Sequence, residues 1–137
     1  MSAPATPEQI RDTMPFAALI GAELTEVTPE LVVSRMEWAP ERCTAGGLLH
    51  GGALMALADG SGGVLAFLNL PEGAVGTATI ESKTNFMRGV TEGGVTASTR
   101  ALHKGRTTIV IETEIVRDDG KLVAKVTQTQ AFHYPRA

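Results

Sequence analysis

His50, Gly51, Gly52 and Asp59 fall in one stretch, LLHGGALMALADGSGG from Leu48 to Gly63, and their types and spacing suit acyl transfer. A carboxylate in an apolar, helix-like run is costly to bury unless it is paired or hydrogen-bonded, so Asp59 reads as an acid or base kept for use. Gly51 and Gly52 bring backbone N–H groups to a helix start, where they have no intrahelical partner. Those donors and the positive end of the helix dipole suit an oxygen that gains negative charge. His50 reads as the residue that fixes the glycine turn, which leaves the polarising work to the Gly51 N–H.

His50 and Asp59 are nine positions apart. On a continuous helix that is about 13 Å of rise, too far for both to serve one small reacting group. The pair therefore predicts a homodimer with antiparallel central helices, in which each helix start meets the Asp59 of the partner subunit.

Other chemistries fit less well. The glycine cluster lacks the spacing of a phosphate loop or a dinucleotide fingerprint. His50, His103 and His133 are far apart and show no metal-ligand spacing, so no metal is expected. Cys43 has no nearby His or Asn, and Ser61 lacks a nucleophile elbow.

The 137 residues suffice for one domain with a real core, and 43% hydrophobic with 20% charged residues is a globular composition. A net charge of −3 argues against a general nucleic-acid binder. Basic residues still gather at Lys83, Arg88, Lys104 and Arg106, and turns on one sheet rim could present Arg88 and Lys104-Gly105-Arg106 to a phosphorylated ligand. The single cysteine excludes an intrachain disulfide and fits a reducing cytoplasm. The N-terminus has no signal pattern, and the apolar run at Ala53–Leu70 is too polar and glycine-rich to span a membrane. A soluble cytoplasmic protein is expected.

The elements that must position these residues follow from patterning. Residues 1–20 read as a tail with short helices, the first started by Thr6 as N-cap, Pro7 at the first position and Gln9 as capping-box partner. Residues 21–137 read as one domain. Ala22–Thr28 and Leu31–Trp38 form a hairpin, 39–49 a loop, and Gly51 to about Leu68 the one long helix. Gly60, Gly62 and Gly63 in that helix serve close packing on a sheet or room for a substrate beside Asp59. Strands follow at about Gly76–Arg88, Gly93–Lys104, Thr107–Asp118 and Leu122–His133, the last pair joined by an Asp119-Gly120 turn. The class is α+β, an antiparallel sheet wrapped around a single helix.

HGG with an aspartate nine residues after the histidine, then TIESKTNFMR from Thr79 to Arg88 and a later basic turn, resembles the hotdog-fold acyl-CoA thioesterases of the phenylacetate-pathway (PaaI) type. The similarity runs from about Gly21 to Tyr134. It implies cofactor-free hydrolysis of an acyl-CoA, with Asp59 as nucleophile or general base and the Gly51 N–H polarising the carbonyl. His50 would support the loop and Thr79 would bind water. Arg88, Lys104, Gly105 and Arg106 would lie near the CoA nucleotide, and dimers would pair into homotetramers. Relatives usually carry Asn or Gln six residues before the histidine, where this chain has Thr44. The acyl group, medium-chain or aromatic, is expected beside Gly62, Gly63 and Phe67. Two alternatives are a non-catalytic acyl-CoA binding protein and a hotdog acyl-thioester dehydratase that uses His50 as its base.

Overall fold

The computed structural model describes residues 3–137; the first two residues of the expected tail lie outside them. Helix α1 (Pro7–Asp12) starts in the expected way: Thr6 Oγ1 accepts from the Gln9 N–H, and Gln9 Oε1 accepts from the Thr6 N–H. Helix α2 (Pro15–Leu19) follows, then the hairpin of β1 (Glu23–Val27) and β2 (Val32–Glu37). The loop beyond β2 is more ordered than its composition suggests. It contains a 3-10 turn at Pro40–Arg42 and closes on itself through a bridge between Cys43 and Leu49.

Helix α3 (Gly51–Leu68) then crosses to the far edge of the sheet. The remaining strands are β3 (Gly76–Phe86), β4 (Gly94–Lys104), β5 (Thr108–Arg117) and β6 (Leu122–His133). β3 ends two residues earlier than the pattern suggests, because the Met87 and Arg88 N–H groups both turn to the Val123 carbonyl. The Asp119-Gly120 turn holds Gly120 at φ +82°, a left-handed conformation that suits glycine.

All six strands pair antiparallel in the order β1-β2-β4-β5-β6-β3, and α3 packs against every one of them. Leu54, Leu57, Ala58 and Leu65 of α3 are buried with Met36, Val95, Ile111, Ile115 and Val126 of the sheet. One polar contact ties the helix to β2: Ser61 Oγ donates to the Leu57 carbonyl and meets Ser34 Oγ at 2.6 Å. Ser61 is thus a buried tether.

The opposite face of α3 stays open. It presents Gly52, Ala56, the adjacent pair Asp59 and Gly60, Gly63 and Phe67, which recur every three or four residues along one side. Beside it runs β3, an eleven-residue edge strand with no strand paired on its outer side among the described residues. A bulge at Ile80 shifts its register between Thr79 and Glu81. Thr79 and Ser82 therefore stand opposite Gln130 and Gln128 of β6, although three positions separate them.

Candidate active site

The start of α3 is held from several sides before any side chain acts. The His50 N–H donates to the Arg42 carbonyl, the Leu49 N–H to the Val90 carbonyl, and Trp38 Nε1 to the Gly47 carbonyl. Thr44 belongs to this scaffold. Its N–H donates to the Leu48 carbonyl, and its Oγ1 accepts weakly from the Gly46 N–H at 3.3 Å.

His50 is the N-cap, and its Nδ1 accepts from the Gly52 N–H at 2.8 Å. An imidazole nitrogen that accepts is unprotonated, so a neutral ring carries its proton on Nε2. The cap consumes the Gly52 donor and leaves the Gly51 N–H without an acceptor among the described residues. Phe86 covers Gly51 closely, since a Cβ there would lie 3.1 Å from its ring. Gly51 is therefore the free donor, as its place in the sequence suggests.

Asp59 lies eight residues further on, about 12 Å along the axis. It is exposed on the open face of α3, and its Oδ1 accepts from Thr79 Oγ1 at 2.7 Å. Thr79 in turn accepts from Gln130 Nε2 at 2.6 Å. The structure thus brings Asp59 and Thr79 together, and His50 together with Gly51, but leaves the two pairs at separate points of one chain.

The other expected residues are distributed differently from the sequence reading. Gly62 offers no room for a substrate: it is buried, and a Cβ there would come within 2.2 Å of Gln128 Nε2. Its role is close packing. Gly63 has open space above it, and Phe67 is 60% exposed. A largely apolar cavity of about 430 Å³ lies instead at the other end of α3, between Phe16, Leu19, Ile20, Cys43, Ala53 and Ala56, with His50 and Gly52 on its wall.

Arg88 and Lys104-Gly105-Arg106 do not share a rim within one chain. Arg88 donates to the Leu122 carbonyl beside the end of β5, whereas residues 104–106 precede its start. The length of β5 puts them about 30 Å apart. Among the described residues no three His, Cys, Asp or Glu side chains converge as metal ligands would.

Sequence reasoning missed Gln128 and Gln130. Their signal was two amides on the face of β6 that otherwise carries Ala124, Val126 and Phe132, all buried.

This sheet wrapped on one helix, with a capped glycine turn at the helix start and an acid on its open face, defines a hotdog domain. The profile of the thioesterase superfamily matches residues 46–124, and the chain belongs to that family. It is 40% identical over 83 residues to the esterase PA1618 of Pseudomonas aeruginosa, covering 59% of this chain and 57% of that one. A crystal structure of a mutant of that thioesterase superposes with a TM-score of 0.88 at 29% identity, covering 96% of each chain. The 1,4-dihydroxy-2-naphthoyl-CoA hydrolase of Escherichia coli is 35% identical over 86 residues, 63% of this chain and 62% of its own. A hypothetical thioesterase from Streptococcus pneumoniae, solved with coenzyme A, gives a TM-score of 0.75 at 25% identity, covering 85% of this chain and 88% of its own. The chain spans about three-fifths of the length of the first of these curated relatives.

Proposed function

We propose that this protein hydrolyses acyl-CoA thioesters carrying a medium-chain or aromatic acyl group, at a site shared by two subunits. The observation that carries the reading is the presence on one helix of a free helix-start donor, Gly51 N–H, and of an exposed carboxylate held by Thr79. A two-fold partner with α3 antiparallel brings the partner's Asp59 to Gly51. Two features favour such a partner: the long free edge of β3, with Ile80 62% exposed, and the small residues along the open face of α3. The same pairing carries Lys104 of the partner subunit toward Arg88, so the two basic groups serve one CoA from different chains. Pairing of dimers into tetramers is the further expectation.

In the reaction Asp59 takes a proton from water, and the hydroxide adds to the thioester carbonyl. The oxyanion is held by the Gly51 N–H until the C–S bond breaks and the CoA thiolate leaves. Thr79 occupies Oδ1 and leaves Oδ2 for the water. The apolar cavity beside His50 suits the acyl group. The relatives named for CoA esters, or solved with CoA, support this substrate class. The cap disfavours the dehydratase alternative, since His50 spends its basic nitrogen on Gly52.

The test is free-thiol release from octanoyl-CoA and phenylacetyl-CoA by wild type and Asp59→Asn. Loss of turnover in the variant supports the assignment. Equal rates overturn it, and tight CoA-ester binding without thiol release by wild type would favour a binding protein.

A further inference from the structure

Gln128 and Gln130 of β6 are each only 1% exposed, and neither amide is spent on the sheet ladder. Gln128 Nε2 donates to the Ala58 carbonyl at 3.1 Å. Gln128 Oε1 accepts from Gln130 Nε2 at 2.8 Å, and the same Nε2 reaches Thr79 Oγ1 at 2.6 Å. Thr77 Oγ1 meets Gln130 Oε1 at 3.1 Å. The chain of bonds runs from the backbone of Ala58 to the side chain of Asp59, the very next residue, by way of two strands.

Its polarity is fixed at one end. A backbone carbonyl can only accept, so Gln128 must turn its NH₂ to Ala58 and its oxygen to Gln130. Gln130 must then present its own NH₂, which supplies one hydrogen to Gln128 and one to Thr79. The Thr79 oxygen is thereby an acceptor, and its single proton has Asp59 Oδ1 as its partner. Reversing any amide would set two oxygens against each other in a buried site.

We infer that Gln130, seated by Gln128, is a positioning residue that acts through Thr79 to hold the Asp59 carboxylate in one orientation for attack. This rests on the reading of Asp59 as the catalytic base. Two local devices serve the relay. The absence of a side chain at Gly62 makes the space that Gln128 Nε2 fills. The bulge at Ile80 turns Thr79 inward opposite Gln130 while keeping Ser82 inward opposite Gln128. A threonine free to rotate would share its proton with water, and the carboxylate would sample orientations that do not aim Oδ2 at the water to be activated.

The test compares Gln130→Met, which fills the space without a donor, and Gln130→Glu, whose carboxylate would draw the Thr79 proton away from Asp59. Melting curves establish that each variant is folded. With octanoyl-CoA, Gln130→Met is expected to lower kcat about tenfold with KM within about twofold, because the relay touches no part of the substrate. Gln130→Glu is expected to lose more than Gln130→Met. Combined with Thr79→Val, Gln130→Met is expected to add nothing to the loss from Thr79→Val alone. Wild-type kcat in Gln130→Met, losses that multiply in the double variant, or a change confined to KM would overturn the inference. If Asp59→Asn keeps full turnover, the underlying function falls. If Asp59→Asn is dead while Gln130→Met matches wild type, the relay alone falls.

Discussion

Thr79 and Asp59 are 20 residues apart in sequence and 2.7 Å apart in space, the hydroxyl donating from the edge strand to the carboxylate on the central helix. A hydrogen bond to a charged group is worth about 2 kcal/mol, so Thr79→Val should cost ten- to a hundredfold in kcat, by order of magnitude. Thr79→Ser keeps the donor and should stay within a few-fold of wild type. Steady-state kinetics with free-thiol detection separates the two; equal losses in both would detach the hydroxyl from the chemistry.

Gly51→Pro deletes the free donor with little disturbance to the helix. Position N1 tolerates proline, and His50 already has φ −66° and ψ 134°, the extended conformation required before one. A Cβ there would crowd the Phe86 ring, which is half exposed and can give way. Turnover should fall about a hundredfold while thermal stability stays close to wild type. Full activity in a folded Gly51→Pro variant would move the oxyanion site elsewhere.

His50→Ala removes the cap on Gly52 and should destabilise the fold by about 1 kcal/mol. His50→Asn supplies another capping side chain and should recover most of that loss. Turnover should drop less in either variant than in Gly51→Pro. Paired thermal melts and rate measurements check the order.

Subunit sharing can be read from complementation. If the proposed site is shared, Asp59→Ala and Gly51→Pro should each be inactive alone, and a mixed dimer of the two should hold one complete site. Random pairing of equal amounts should restore about a quarter of wild-type activity. No recovery in verified mixed dimers would mean that both groups act from the same chain.

The far end of the sheet carries a pH-dependent tie. The Arg35 guanidinium beside Asp118, helped by the Gly94 N–H, holds that carboxyl below the usual carboxylate range, and Arg117 does the same for Asp119. A group whose folded pKa is depressed contributes stability above its unfolded pKa and loses it as pH falls through the folded value. The melting difference between wild type and Asp118→Asn should be full at pH 6 and shrink below about pH 4. Asp118 is exposed and Arg35 partly so, and added salt should shrink the difference as well.

The helix from Gly51 to Leu68, its histidine cap and the hairpin order were legible because each has a local signal: a capping pattern, a 3.6-residue period or a turn dipeptide. Asp59 was legible as an acid set in an apolar helical run, whereas Thr79 was legible only through resemblance. Gln128 and Gln130 were not, since an inward amide has meaning only once the helix above it supplies a carbonyl. Gly62 could be read as close packing or as substrate space, and the structure gives packing; a helical glycine does not say which neighbour fills the gap. Arg88 and Lys104 were set on one rim because turn sequences do not reveal which end of a strand they cap.

Thr79 lies on a strand whose outer edge is free among the described residues, so whatever zips onto that edge also presses on the hydroxyl bonded to Asp59. Turnover would then depend on how much enzyme is in the tube: specific activity should fade on dilution as pairs come apart. An obligate dependence of this kind would let a cell silence the proposed activity simply by keeping the protein scarce.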